Sequence, residues 1–279
     1  MKICRENGVD KIRFEHVEPK DIERRSMEII RGELAHRGVK LPVEEAPVIE
    51  RCIHTSADFD YYENLVFTDK AVEKMRAALS TGATVVTDTE MAKSGISKVA
   101  MAKYDGKLRC FMSDPEIMKE AKKRGITRAT VSMEHAARLA RHLPKIKFSG
   151  ETLKNDFRSQ LREDSYSETS GSQMNTPEAC TYSKEKRGGQ ALSNIIFAIG
   201  NAPTALIELE RLIREENLRP AGIIAVPVGF VNVVEAKELI WELRNEQEYG
   251  DIPLIVARGR KGGSNIAAAI VNALLYGMK

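Results

Sequence analysis

The feature that most constrains the fold is the alternation of short apolar runs with longer stretches that can form helices. Six runs rich in Val and Ile have the length of buried strands, and each is followed, directly or after a loop, by a helix-forming stretch. This alternation favours parallel strand pairing through right-handed crossovers. The sequence therefore predicts an α/β fold, a mostly parallel, doubly wound sheet with helices on both faces. The predicted strands are 46–53, 83–86, 108–112, 192–199, 222–226 and 252–256.

Residues that favour helix ends mark the stretches between these runs. Thr68 is a candidate N-cap of the helix that follows it. Asp114 followed by Pro115 is typical of a helix start, and Gly125 is typical of a helix end. A further amphipathic run covers 127–143. We therefore expect each of these stretches to be a helix.

A polar segment at about 149–189 interrupts the alternation. It is rich in Ser, Thr, Glu and Lys and has no strand-like run, which predicts a largely disordered insertion. Apolar side chains recur every four residues from Leu153 to Leu161, so a short amphipathic helix is the alternative there. The predicted organisation is a lead-in segment at 1–20 and one domain at 21–279, which the insertion interrupts.

Charge and cysteine spacing exclude several classes of protein. The formal net charge is only +3, and the chain has no Lys/Arg run of the kind that binds nucleic acid. The cysteines form no Cys-x-x-Cys pair, so neither a zinc site nor a disulfide framework is predicted. We find no signal-peptide core near the N-terminus and no apolar run approaching the roughly 18 residues of a membrane span. The sequence therefore predicts a cytoplasmic protein with reduced thiols.

The carboxyl ends of the predicted strands are the expected ligand-binding edge of such a sheet. Three of these ends, at 200–204, 227–232 and 259–265, are turns with Gly or Pro that each open a helix. Turns of this type present backbone N–H groups that suit phosphate or carboxylate groups. None matches a nucleotide-binding fingerprint, and each alone could be ordinary turn chemistry. Three in succession favour an anionic ligand.

His54 and Arg128 are the candidate side chains for chemistry. His54 ends the first predicted strand, where it suits a general acid, although a structural histidine fits the same pattern. Arg128 could hold a carboxylate, or it could be an ordinary surface charge. The sequence has neither a cluster with metal-ligand spacing nor a Gly-x-Ser-x-Gly nucleophile elbow. Neither metal catalysis nor serine hydrolysis is therefore predicted.

Several motifs occur together along the chain. They are, in order, IERRSMEII at 22–30, IHT at 53–55, DTEM at 88–91 with GI at 95–96, TR at 127–128, GNAPTAL at 200–206, PVGFV at 227–231 with Glu235 and Lys237, and GRKGGS at 259–264 leading into NAL at 272–274. In content and order these stretches resemble the precorrin-8X methylmutases, called cobalt-precorrin-8 methylmutases when the substrate carries cobalt. The resemblance covers almost the whole chain outside the insertion, and the last three motifs are highly specific.

The resemblance implies a homodimeric α/β isomerase of cobalamin biosynthesis that binds a corrin precursor near the subunit interface, with no cofactor and no resident metal. The implied reaction moves a methyl group between adjacent carbons at ring C, from precorrin-8X to hydrogenobyrinate or from cobalt-precorrin-8 to cobyrinate. His54 would be the acid that protonates the macrocycle, and the glycine turns would accept the peripheral carboxylates. The substrate-binding residues implied or expected from the strand ends are Ser26, Thr55, Asp88, Arg128, Asn201, Gly229, Phe230, Arg260, Gly262, Gly263 and Ser264.

Two other functions fit parts of the pattern. One is a non-catalytic corrinoid carrier of the same fold, against which the presence of His54 argues. The other is an α/β enzyme that binds a phosphorylated substrate at its Gly-Gly-Ser turn, against which the absence of phosphate-loop lysine spacing argues. Incubation with precorrin-8X distinguishes the three, because only the methylmutase converts it.

Overall fold

The computed structural model of the chain describes residues 3–6, 9–12, 15–148 and 191–278. The predicted insertion at about 149–189 lies outside the described residues. The helices are α1 (Ile22–His36), α2 (Ala46–Ser56), α3 (Tyr61–Asn64), α4 (Ala71–Ser80), α5 (Glu90–Gly95), α6 (Lys98–Ala102), α7 (Pro115–Arg124), α8 (Arg128–Ala140), α9 (Pro203–Glu216), α10 (Val233–Glu242) and α11 (Ser264–Tyr276), with short 3-10 turns at Pro19–Asp21 and Leu243–Asn245. The strands are β1 (Ile3–Glu6), β2 (Val9–Ile12), β3 (Leu65–Phe67), β4 (Thr84–Thr87), β5 (Lys107–Cys110), β6 (Lys145–Ile146), β7 (Leu192–Ile199), β8 (Pro220–Ala225) and β9 (Leu254–Ala257).

Seven of these strands form one sheet, in the order β3-β9-β8-β7-β4-β5, with β6 paired beside the start of β7. Neighbouring strands in the series β5-β4-β7-β8-β9 pair in parallel. Strand β3 pairs antiparallel with β9, and β6 pairs antiparallel with β7. Strand order reverses between β4 and β7, because β5 lies on one side of β4 and all later strands lie on the other. The predicted mostly parallel, doubly wound sheet is confirmed.

The central strand β7 shows why helices cover both faces. All eight of its residues are buried, and its side chains alternate between two apolar cores. Ile196 and Ala198 face the core that includes α2, α4 and α11. Ile195 and Phe197 face the core that includes α8, α9 and α10. A strand that is apolar on both faces requires a helical layer on each, which gives the three-layer architecture.

The predicted strand at 46–53 is wrong, because this run forms the helix α2. Val48, Ile49, Cys52 and Ile53 are buried at helical spacing, and α2 packs along α11 beneath α1. Five of the eight residues at 46–53 are buried, and such a short run resembles the sequence of a buried strand. His54 therefore lies in the last turn of a helix and not at the end of a strand.

The predicted helix ends were mostly correct. The Asp114 side chain accepts the Glu116 N–H at 2.9 Å, and Gly125 ends α7 in the left-handed conformation. Thr68 is the exception, because its hydroxyl accepts the Leu254 N–H at 2.9 Å and Lys70 takes the cap position of α4. The threonine therefore joins β3 to β9 instead of capping a helix.

The lead-in segment contains a small antiparallel pair, β1 with β2, which is separate from the main sheet. No helix in the described ranges is both long enough and apolar enough to cross a membrane.

The pairing of β6 with β7 makes the polar segment between them testable by deletion. Ile146 pairs with Leu192, so removing 150–186 leaves a short loop to join neighbouring residues. We expect the shortened protein to keep its solubility and activity, since a polar, turn-rich sequence buries little apolar surface. Thermal unfolding and turnover of both forms measure this. Precipitation of the shortened protein, or a loss of activity by orders of magnitude, would indicate that the segment belongs to a subunit interface or to an active-site lid.

Candidate active site

Backbone hydrogen bonds join the turns at the carboxyl edge of the sheet. The Val226 N–H donates to Ile199 O at 2.9 Å, which ties the end of β8 to the end of β7. The Gly263 N–H donates to Val226 O at 2.8 Å and brings the turn after β9 against β8. The Gly229 N–H donates to Arg260 O at 3.2 Å. The three predicted turns therefore form one continuous surface, although the N–H groups of Gly229 and Gly263 are used in building it.

Asp88 fills the crevice between β4 and β7, where strand order reverses. Its carboxylate is fully buried and accepts the N–H groups of Gly200, Asn201 and Ala202 at 2.9, 2.8 and 2.6 Å. Burial raises the pKa of this carboxyl, and the three donors oppose that shift. A doubly wound sheet commonly binds its ligand in this crevice. Here the protein places its own carboxylate there, so the turn at Asn201 has no free N–H at these three positions for a substrate carboxylate.

Ser264 and Thr89 close the same region on the opposite side. The two hydroxyl oxygens lie 2.8 Å apart, and Thr89 also caps α5 by accepting the Ala92 N–H. A Cβ atom at Gly200 would lie 2.7 Å from Ser264 Cα, so the turn after β7 packs directly on the start of α11. Ser264 is largely buried and contributes to packing at this edge.

The loop between β9 and α11, residues 258–263, is held from beneath by Lys237. This side chain is fully buried, and its Nζ donates to Gly259 O and Lys261 O, both at 2.8 Å. Burial lowers the pKa of the ammonium to about 8. Gly262 lies so close to β8 that a Cβ there would come 2.1 Å from Val226 O. The loop is therefore fixed to β8 on one side and to α10 on another.

An exposed aromatic side chain projects from the turn after β8. Phe230 is 82% exposed, and the Arg260 guanidinium carbon lies 5.3 Å from the centre of its ring. Val228 and Val231 on the same turn are also exposed. The edge of the sheet thus presents an apolar surface beside a cation, which suits a large flat ligand with acidic substituents.

His54 is paired with Ser26 across two helices. The Ser26 hydroxyl oxygen lies 2.9 Å from His54 Nδ1, and the ring is partly exposed. When the imidazole is protonated on both nitrogens, Nδ1–H donates to the serine and Nε2–H remains available. Nε2 has no hydrogen-bond partner among the residues that the structure describes. The arrangement therefore orients a histidine that can give one proton outward.

Ion pairs hold α1 against α2 and thereby hold Ser26 beside His54. Arg31 on α1 binds the largely buried Glu50 carboxylate with three contacts of 2.9–3.1 Å. Glu23 on α1 pairs with Arg51 on α2 at 2.6 Å. Because Glu50 is largely buried, loss of Arg31 would leave its carboxylate without this partner at the contact between the two helices.

A second contact connects the histidine-bearing helix to the glycine loop. Lys261 Nζ binds Asp58 at 2.6 Å and also binds Asp60, both just beyond the end of α2. The pairing raises the pKa of the Lys261 ammonium and lowers that of the Asp58 carboxyl. This contact brings the end of α2 to the same edge of the sheet as the loop at 258–263.

Arg128 and Thr55 lie on the exposed surface. Arg128 begins α8, and its guanidinium donates a 3.4 Å hydrogen bond to Met112 O. The neighbouring Thr127 hydroxyl lies 3.0 Å from that of Thr204 at the start of α9, which places Arg128 near the turn after β7. Thr55 donates its hydroxyl to Arg51 O within α2. The guanidinium is thus available to a ligand, whereas the Thr55 proton is used locally.

The described residues contain no group of three or more His, Cys, Asp or Glu side chains placed to hold a metal ion. Burial raises the pKa of the Cys52 thiol and, with less burial, that of Cys110. Neither thiol is therefore activated as a nucleophile.

Sequence reasoning gave no role to Lys237 or to the contact of Lys261 with Asp58. Lys237 falls on the apolar face of α10 with Val233, Ala236 and Ile240, and this periodicity was a signal that it is buried. No comparable signal pairs Lys261 with Asp58, because the two residues are far apart in the chain.

Comparisons with known proteins agree with this architecture. The sequence model of the precorrin-8X methylmutase (CbiC) family matches residues 21–151 and 144–277. Cobalt-precorrin-8 methylmutase of Salmonella typhimurium is 34% identical over 85% of this chain and 83% of its own length. That of Priestia megaterium is 33% identical over 92% and 88%. The precorrin-8X methylmutase structure from Thermus thermophilus superposes with a TM-score of 0.65 at 28% identity, covering 92% of this chain and 95% of that one.

Proposed function

We propose that this chain, which belongs to the precorrin-8X methylmutase family, catalyses the intramolecular methyl shift at ring C of a corrin precursor. The observation that supports this most directly is the His54–Ser26 pair, which orients an imidazole with its outer nitrogen open beside an edge suited to a large acidic ligand. The shift breaks one carbon–methyl bond and forms the neighbouring one, so substrate and product are isomers. The reaction therefore requires no cofactor and no second substrate.

In this proposal His54 is the catalytic acid and Ser26 is its positioning residue. Nε2–H protonates the macrocycle, which makes the carbon next to the methyl-bearing carbon electron-poor, and the methyl group migrates to it with its bonding electrons. The proton returns to the imidazole when the product forms, because an isomerisation gains no proton overall. Ser26 accepts from Nδ1–H while the ring is charged and holds its orientation throughout.

The remaining predicted residues divide into two groups. We propose that Phe230, Arg260, Gly262 and Arg128 contact the substrate, because their side chains or N–H groups are open to it. The residues of the second group have polar groups that are already bound within the protein, and we propose that they shape the site without contacting the substrate. They are Thr55, Asp88, Gly229, Gly263, Ser264 and the backbone of Asn201.

We infer that the substrate carries cobalt. The two relatives named above are cobalt-precorrin-8 methylmutases at 33–34% identity, whereas the precorrin-8X methylmutase of Sinorhizobium sp. is 27% identical. Anaerobic incubation with each substrate, followed by absorption spectra, tests both the reaction and this preference. Binding without spectral conversion would indicate a carrier, and no interaction with either compound would contradict the proposal.

A homodimer and a cytoplasmic location are also part of the proposal. Ile22 and Ile29 are exposed apolar side chains on α1, the helix that also carries Ser26, which suits a subunit contact near the site. Sedimentation of the purified protein as a single chain would contradict the dimer. Fractionation of the native cells would test the location.

Replacing Arg128 with Ala should raise KM by an amount equivalent to roughly 1.5–3 kcal/mol, the value of a desolvated charge-assisted contact. Arg128→Lys should recover only part of it, because the planar fork is lost. Arg138→Ala, at the far end of α8, is the matched control and should leave KM unchanged. Unchanged kinetics in both Arg128 variants would show that Arg128 is an ordinary surface charge with no contact to the substrate.

A further inference from the structure

The loop at 258–263 has a backbone arrangement that the motifs alone do not reveal, and its interpretation rests on the proposed function. The Gly259 and Lys261 carbonyl oxygens both point inward to Lys237 Nζ. In a trans peptide unit the C=O and the following N–H point in opposite directions, and the described residues contain no cis peptide bond. The N–H groups of Arg260 and Gly262 therefore point away from the buried ammonium.

These two N–H groups differ from the other donors at this edge. The N–H groups of 200–202, Gly229 and Gly263 are already bound within the protein. Those of Arg260 and Gly262 have no acceptor among the described residues, and both residues are at least partly exposed. Two alternate N–H groups that face one side of a loop form a small concave site for an anion.

Lys237 is suited to maintain this arrangement. A fully buried ammonium needs acceptors, so it favours the one loop conformation that supplies two carbonyl oxygens. Its charge lies behind the N–H groups, where it adds to the attraction for an anion in a region of low dielectric. With a pKa of about 8, the group is mostly charged at neutral pH.

We propose that Lys237 is a positioning residue that holds the Arg260 and Gly262 N–H groups outward as a cradle for one peripheral carboxylate of the corrin substrate. The Lys237 side chain does not contact the substrate. It sets the orientation of the two peptide units that do, and the Arg260 guanidinium above Phe230 lies beside them.

The test combines a protein variant with a chemical change in the ligand. Lys237→Met keeps a long apolar stem and removes both donors and the charge. We expect Kd for cobyrinate and KM for the substrate to rise about 10- to 100-fold. The kcat should stay within about threefold, because His54 is on another helix. Lys74→Met is the matched control, since Lys74 is half-buried near Asp251 before β9 and should leave Kd and KM unchanged.

The ligand series separates a cradle from a general loosening of the fold. Cobyrinate with its carboxylates converted one at a time to primary amides is titrated into the wild type and into Lys237→Met. For one position of the amide, Kd for the wild type should rise by about the same factor as Lys237→Met raises Kd for cobyrinate. The same amide should not raise Kd for Lys237→Met any further. Equal loss in both proteins for every amide, or a normal Kd in the variant, would overturn the cradle. A wild type that does not bind cobyrinate would instead refute the proposed function.

A measurement on the wild type keeps the inference testable if Lys237→Met does not fold. The amide protons of Arg260 and Gly262 should move downfield in nuclear magnetic resonance spectra when cobyrinate binds, because each gains a charged acceptor. The Gly263 amide, which already donates to Val226 O, should move much less. Unmoved Arg260 and Gly262 signals in a saturated complex would overturn the proposal.

Discussion

His54→Asn should reduce turnover by roughly 10²–10⁴-fold, the range typical of lost acid–base catalysis. Asparagine has about the same size and retains a hydrogen-bond donor toward Ser26, but it has no proton to transfer. Affinity for cobyrinate should change much less, since the carboxylate contacts lie on other elements. Stopped-flow spectra under single-turnover conditions measure the chemical step, and titration with product measures binding.

Two comparisons make this result specific. His142→Asn changes an exposed histidine away from the site and should have wild-type turnover. A general acid must carry its proton when the reaction starts, so wild-type turnover should decline as the pH rises, and the residual activity of His54→Asn should not follow that decline. Near-normal turnover in His54→Asn would refute the acid mechanism and leave the fold assignment intact. Parallel loss of binding and turnover would make His54 a structural residue.

Asp88→Ala should destabilise the protein by about 3–5 kcal/mol. The change leaves three backbone N–H groups without their acceptor, and each buried unsatisfied group costs roughly 1–3 kcal/mol. Asn201 is exposed and can turn to water, so the largest loss is expected at the fully buried Gly200. Against the roughly 5–15 kcal/mol that stabilises most proteins, this loss is a large fraction. Urea unfolding followed by circular dichroism measures it.

Asp114→Ala is the matched control for that experiment. Asp114 is partly exposed and accepts one N–H as the cap of α7, so its loss should cost only about 1 kcal/mol. The free energy of unfolding of Asp88→Asn should be closer to that of Asp88→Ala than to that of the wild type. An amide has only one oxygen that accepts hydrogen bonds, whereas the carboxylate has two. If Asp88→Ala unfolds at the wild-type urea concentration but loses affinity for cobyrinate, the carboxylate belongs to the substrate site as the sequence first suggested.

Local patterns predicted most of the elements correctly because local physics decides them. The Asp114–Pro115 start and the Gly125 end of α7 depend on groups within one or two turns of the chain. The run at 192–199 is mostly apolar and ends in five consecutive apolar residues, and β7 has these same bounds. The strand prediction at 46–53 was wrong because a short, largely buried run does not distinguish a strand from a helix that packs against two neighbours.

The site was predicted only in outline for a different reason. Motifs located the turns at the carboxyl edge, but not which of their N–H groups remain free. That depends on contacts between distant residues, such as Asp88 with Gly200 and Lys237 with Gly259. Hydrogen-bond partners of this kind have no periodic pattern in the sequence, so their geometry is needed to identify them.

By itself the sequence determined the α/β class, the doubly wound sheet, the position of the three turns and the resemblance to the methylmutases. These follow from hydrophobic periodicity and from residue types with restricted backbone conformations, both of which are local. The tertiary structure decided that Asp88 occupies the crevice where strand order reverses and that Lys237 turns inward beneath the glycine loop. A buried charge must find partners wherever the packed chain supplies them, and only the folded arrangement fixes which groups those are.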